Sequence, residues 1–247
     1  MIPWPVLLAT GAAGLCLGSF AATAALRKAR GEAFVAGRSR CDDCGVALGF
    51  AATLPVVGFA LRRGACRHCG AAIDPTHLAG EVTGALLLTL PLVIAGPVRG
   101  GLIAALGLLL LAASVFDLKT QRLPDRLNLA AAVVSAALAW TWSPRALIEG
   151  SVAAVVSGLL LLILRAVYLR RRNVHGLGLG DVKLVAALAL WLGAATSWAI
   201  ALAAALGLAA FRLRKVKGVR MAFGPFIAAA AIVVGLIQEA AGWPLRL

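Results

Sequence analysis

The segment Gly176-Leu177-Gly178-Leu179-Gly180-Asp181-Val182-Lys183 sets three glycines and a carboxylate at the mouth of an apolar run. An earlier segment, Phe116-Asp117-Leu118-Lys119-Thr120-Gln121-Arg122-Leu123-Pro124-Asp125, sits in the same position relative to another apolar run. Outward from these two stretches the chain divides into apolar runs separated by polar breaks. Such a chain reads as an all-α polytopic membrane protein, because helices satisfy their own backbone amides in lipid.

Composition agrees. The 247 residues are 62% hydrophobic and the mean hydropathy is +0.94, whereas a soluble domain is nearer half apolar. The runs lie at 3–26, 78–96, 101–116, 127–142, 146–168, 182–193, 196–211 and 221–243, which predicts about eight transmembrane helices. A tight turn between Gly193 and Ser197 is expected to separate the two runs after Asp181. The first run has no basic segment before it and no small-residue cleavage site after it. It is expected to be a span rather than a removed signal.

Charge orients the runs. There are 24 Lys and Arg against 10 Asp and Glu. With the N-terminus outside and the runs alternating, 21 of the 24 cations fall inside, and only Arg99, Arg145 and Arg246 fall outside. Asp117 and Asp181 then share the cytoplasmic face. The basic excess is expected to grip anionic lipid headgroups rather than nucleic acid. The polar insert has only Phe34, Phe50 and Phe59 as aromatics and no recognition-helix pattern.

Three units are expected: a first helix over 1–26, a cytoplasmic insert over 27–77, and a membrane core of about seven helices over 78–247. The insert is too small to stabilise itself by burial and needs a staple. Cys41-Asp42-Asp43-Cys44 and Cys66-Arg67-His68-Cys69 supply one, as two C-x2-C knuckles followed directly by Gly45 and Gly70. Four thiolates complete a closed tetrahedral site, so a structural zinc on Cys41, Cys44, Cys66 and Cys69 is favoured over two disulfides in a reducing compartment. Cys16, alone in the first run, is expected to be a buried inert thiol.

The acids are informative by place. Glu32, Asp42, Asp43 and Asp74 belong to the polar insert, and Glu149 and Glu239 lie near outer ends where simple solvation explains them. Glu81, Asp117, Asp125 and Asp181 sit at inner ends of spans, where an acid usually faces a cavity or a partner. Gly178 and Gly180 would let a second backbone or a substrate come close. Taken singly, each aspartate is more simply a helix-end acid or cap. Lys183 either biases the protonation of Asp181 or anchors the helix at the interface.

Read in order, these motifs resemble the type IV prepilin peptidases, a family of membrane aspartic endopeptidases. The resemblance runs through Gly18-Ser19-Phe20, Arg38-Ser39-Arg40-Cys41, the second knuckle with Arg63-Gly64, and Glu81. It continues through Asp117 with Leu123-Pro124-Asp125, Gly178 to Leu184, and Phe223-Gly224-Pro225-Phe226. It implies that Asp117 and Asp181 are the catalytic pair, with Asp125 ordering the loop or shaping the cleft. The implied substrates are prepilin-like or pseudopilin proteins with a basic leader, cut at the cytoplasmic face of a bacterial inner membrane. Many bacterial members also methylate the new N-terminal amine with S-adenosylmethionine.

The chain departs from the family at Gly18-Ser19-Phe20-Ala21-Ala22-Thr23, where the usual reading is Gly-Ser-Phe-Leu-Asn-Val. That departure falls in the region associated with methylation. The alternative is a zinc-stapled, non-catalytic membrane scaffold or transporter component.

Overall fold

In the computed structural model, which describes residues 3–33, 37–173, 176–213 and 221–242, the regular elements are helices. The insert adds two isolated antiparallel bridges. The order is α1 (Trp4–Ala29), α2 (Phe50–Thr53), α3 (Val57–Leu61), α4 (Pro75–Thr120), α5 (Asp125–Trp142) and α6 (Pro144–Arg172). Then follow α7 (Leu179–Leu192), a 3-10 turn at Gly193–Ala195, α8 (Thr196–Leu213) and α9 (Gly224–Ala240). Among the described residues, four segments are long and apolar enough to cross a membrane: Trp4–Ala29, Pro75–Thr120, Pro144–Arg172 and Leu179–Leu213. The all-helical membrane class is therefore as the sequence reads.

The runs 78–96 and 101–116 are two separate helical arms that meet end to end within α4. The break between them is a single residue, Gly96, at φ 75° and ψ −178°. A side chain would resist that backbone, and Pro97 directly after it cannot donate a helical hydrogen bond. The arms fold back on each other, so that a Cβ on Gly107 would meet Leu87 Cδ2 at 2.7 Å. At the open end, Lys119 Nζ lies 2.7 Å from Asp74 Oδ2. Asp74 is also the N-cap of the first arm, its Oδ1 accepting from the Thr76 amide at 2.9 Å.

Helix α1 lies against this hairpin along a seam without side chains. A Cβ on Gly18 would come 2.2 Å from Gly80 O, and one on Gly84 would come 2.4 Å from Gly14 O. Small residues let backbones approach where lipid gives no hydrophobic drive between helices. The main core lies among the second arm of α4 and helices α5, α7 and α9, around Leu106, Leu110, Leu138, Leu184 and Leu188. Cys16 differs from its expectation. It is exposed on the outer surface of α1, because the glycine seam faces α4 and turns Cys16 away.

Gly193, at φ 53°, ends α7 where a turn is expected. Helices α7 and α8 then both contribute to the lining of one apolar cavity, through Val185 and Leu188 and through Ala199 and Ile200. The end of the bundle near Gly96 is closed by an ion-pair clasp. Arg99 Nε donates to Glu239 Oε2 at 2.9 Å, Arg99 Nη1 donates to Leu138 O at 2.9 Å, and Trp191 Nε1 donates to Glu239 Oε1 at 3.2 Å. The Arg99 guanidinium also lies 4.4 Å from the centre of a Trp142 ring. Simple solvation does not describe Glu239: its side chain is 3% exposed and gathers α4, α5, α7 and α9. The basic stretch 214–220, His175, Phe34 and Arg246 lie outside the described residues.

Candidate functional site

Asp117 stands in the last turn of α4 and is 4% exposed. Its Oδ2 accepts the amide of Gly224 at 2.9 Å, so the carboxylate caps the first turn of α9. Unpaired amides and the helix dipole make such an end a natural seat for an anion. Helix α4 stops just beyond, at Gln121, which takes the left-handed conformation at φ 53° and returns its amide to Asp117 O at 2.7 Å.

Asp181 lies in the first turn of α7 and is half-buried. A Cβ on Gly178 would come 2.8 Å from Asp181 Oδ2, so the carboxylate rests over a bare backbone. Gly176 meets the Tyr168 ring in the same way, at 2.6 Å. Arg165 on α6 donates from Nη1 to Leu177 O and fixes the loop from outside.

Leu123 joins the two aspartate sites. A Cβ on Gly180 would lie 2.8 Å from Leu123 Cβ, and one on Gly224 would lie 2.8 Å from Asp117 Oδ2 and 3.3 Å from Leu123 Cδ2. The Leu-Pro turn is thus wedged between the starts of α7 and α9, and Asn128 of α5 donates to Gly180 O at 3.3 Å. This arrangement sets the end of α4 that carries Asp117 and the start of α7 that carries Asp181 on either side of Leu123. An apolar cavity of about 40 Å³ opens beside Asp181, lined by Leu177, Leu188, Phe223 and Ile227 among others.

The other candidates are elsewhere. Lys183 Nζ pairs with Asp125 Oδ1 at 2.7 Å, and both are open to solvent at 53% and 73% exposure. Glu81 is buried on the first arm of α4, where Oε1 accepts from Ser19 Oγ at 3.0 Å and Oε2 from the Val56 amide at 2.7 Å. It ties the insert to the α1–α4 seam. Leu123, Asn128 and Arg165 escape a reading based on charge and glycine. Gly224 is visible only as part of the Phe-Gly-Pro-Phe motif.

The four cysteines form a second centre. Their sulfurs lie within 4.8 Å of one another, and Cys41 Sγ is 3.8 Å from Cys69 Sγ. Tetrahedral zinc with sulfur at ~2.3 Å asks for edges of ~3.8 Å, so the donor set fits that ion. The knuckles repeat each other. Cys41 N donates to Val46 O at 2.9 Å and Cys66 N to Ala71 O at 2.8 Å, with Gly45 and Gly70 at φ 72° and 75°. Amides of Cys69 and His68 lower the Cys66 thiol to about 6, while at Cys69 the lowering by the Ala71 amide is outweighed by burial and the neighbouring thiols, which push it up to about 12.

Fold and site together define a polytopic membrane protein with a paired-aspartate site and a separate four-cysteine cluster. The sequence matches the bacterial peptidase A24 N-terminal domain over residues 12–94 and the type IV leader peptidase family over residues 104–238. The chain belongs to the type IV leader peptidase family. It is 35% identical over 207 residues to a prepilin leader peptidase/N-methyltransferase of Burkholderia pseudomallei, covering 78% of this chain and 64% of that protein. A protein of the same description from Bacillus subtilis is 30% identical over 246 residues, 92% of each chain. One from Klebsiella pneumoniae is 37% identical over 160 residues, 63% of this chain and 68% of that one. No solved structure matches the chain.

Proposed function

We propose that this chain is a membrane aspartic endopeptidase that removes the leader from type IV prepilin-like proteins, with Asp117 and Asp181 as its catalytic pair. The observation that supports the reading is the convergence on Leu123 of the helix ends that carry Asp117 and Asp181, in a chain of this family. One carboxylate takes a proton from water as its oxygen attacks the scissile carbonyl carbon. The other, protonated, hydrogen-bonds the carbonyl oxygen and then supplies a proton to the leaving amine. The shared proton belongs to the pair rather than to either residue. The Gly224 amide commits one oxygen of Asp117 to the protein and so fixes the plane of that carboxyl group.

The charge count supports a bacterial inner-membrane protein with its N-terminus outside and the aspartates at the cytoplasmic face, the basic loops against anionic lipid. Within it we keep a first helix over 1–26, a zinc-stapled insert over 27–77 and a peptidase core over 78–247. Zinc on the four cysteines has a structural role, since protein fills every ligand position.

The names of the relatives also carry an N-methyltransferase. A second cavity of about 180 Å³ lies between the insert and the α1–α4 seam, with Asp43 and Glu81 on its wall. The Asp43 carboxylate suits a cationic group of S-adenosylmethionine, which when bound would supply a methyl group for the new N-terminal amine.

Incubation of the purified protein with a prepilin-like substrate, followed by mass analysis of the mature N-terminus, reports cleavage, its position and any added methyl group. Cleavage is expected to vanish in Asp117→Asn and in Asp181→Asn while both proteins insert normally. Retained cleavage in both variants sinks the proposal.

A further inference from the structure

The insert between the knuckles exposes apolar side chains at the wrong place for a soluble domain. Phe50 is 81% exposed, Val57 49% and Leu61 61%, all on the short helices α2 and α3. Gly58 explains why these two helices cannot cover their own surface. A Cβ there would lie 2.5 Å from Ala52 O, so backbone rather than side chains makes the crossing. From Cys44 to Ile73 the chain has no acid, yet it carries Arg62, Arg63 and Arg67.

A strained turn sets the height of this patch. Val56 holds φ 60° and ψ −49°, and the Val57 amide reaches back to Pro55 O at 2.6 Å. This is a γ-turn of the rare positive-φ kind, costly for a β-branched residue and kept only where its surroundings enforce it. The enforcing contact is the Val56 amide on Glu81 Oε2 at 2.7 Å. On α4 the next residue, Val82, begins a stripe of exposed apolar side chains that continues through Leu86, Leu90 and Val93. Such a stripe on a helix long and apolar enough to cross a membrane suits lipid, and the tether ties α2 and α3 to the end where the stripe starts.

We propose that α2 and α3 form a foot that enters the headgroup region of the bilayer, with Phe50, Val57 and Leu61 towards the acyl chains and Arg62, Arg63 and Arg67 on anionic headgroups. Apolar side chains beside an unbroken set of cations are the signature of interfacial insertion. The occupant of the patch is thus lipid, not a protein partner. The zinc knuckles on either side of the foot hold it rigid, and Glu81 sets its depth.

Photo-crosslinking of the full chain in vesicles tests this, using Phe50→p-benzoylphenylalanine and, separately, Leu61→p-benzoylphenylalanine, with zinc content as the check of folding. In vesicles containing phosphatidylglycerol, lipid adducts are expected at both positions. Adduct yield should fall severalfold in pure phosphatidylcholine, or when Arg62, Arg63 and Arg67 are all changed to Gln. Adducts to a second copy or to another protein segment overturn the proposal, as does an absence of lipid adducts in both variants. Equal yields in the two lipid mixtures overturn the assignment of the arginines to anionic headgroups.

Discussion

The Gly224 amide donates to Asp117 Oδ2 across 107 positions of sequence, at 2.9 Å. This bond turns the start of α9 into the socket of one aspartate. A methyl group on residue 224 would press on that same oxygen at 2.8 Å. Gly224→Ala is therefore expected to slow cleavage by about one to two orders of magnitude, the size of effect that follows an ångström of misplacement. Folding should survive, because alanine is the better helix former. Unaltered turnover in a folded Gly224→Ala protein would show that the bond does not position Asp117.

Asp125 and Lys183 carry the opposite expectation. Their contact of 2.7 Å is solvent-exposed on both sides, and exposed pairs contribute ~0–1 kcal/mol. Asp125→Asn and Lys183→Gln should each leave cleavage within about threefold, with the loss reduced further in high salt. A collapse of turnover comparable to Asp181→Asn would place one of them in the chemistry.

The cysteine cluster makes a compositional prediction. Metal analysis should find one zinc per chain, and strong chelators or Cys66→Ser should remove it and open the insert to protease. Asp117→Asn should keep its zinc. A zinc-free protein whose insert resists protease as before would rule out the staple.

Closure of the α4 hairpin should depend on acid. Burial disfavours the charged form of Asp74, but Lys119 and the Thr76 donors outweigh it and hold the carboxyl well below the usual carboxylate range. A carboxyl depressed on folding stabilises the fold above its unfolded pKa of ~3.9 and loses that contribution as pH falls towards the folded value. Asp74→Asn should accordingly lower the Tm at pH 7, and its difference from the parent protein should shrink as pH drops from about 5 towards 3. A difference that stays constant across that range would assign the loss to packing rather than charge.

The two aspartates are legible as candidates because each falls at an inner span end beside a recognisable motif, Leu123-Pro124-Asp125 for one and Gly178-Leu179-Gly180 for the other. The knuckles are legible because C-x2-C spacing is local. Partners set by the fold are not. Asn128 and Gly180 are 52 positions apart, and Leu123 carries no chemistry that marks it as the wedge between two helices. Asp125 and Lys183 are each visible, but only the packing of α5 beside α7 pairs them. Arg99 and Glu239 read as solvated charges at outer ends. Their burial under Trp142 and Trp191 depends on a bend at one glycine that hydropathy cannot separate from a loop.

The seam of Gly14, Gly18, Gly80 and Gly84 bears on how freely the parts can be exchanged. Ser19, beside Gly18, holds Glu81, and Glu81 holds the turn at Val56. A chimera in which α1 is replaced by an unrelated apolar helix would keep its length and its side of the membrane. It would also put methyl groups within 3 Å of the facing backbone, and drive α1 off the hairpin. The first helix is thus a fitted part and not an interchangeable anchor. Its register, more than its hydrophobicity, is what an engineer would have to preserve.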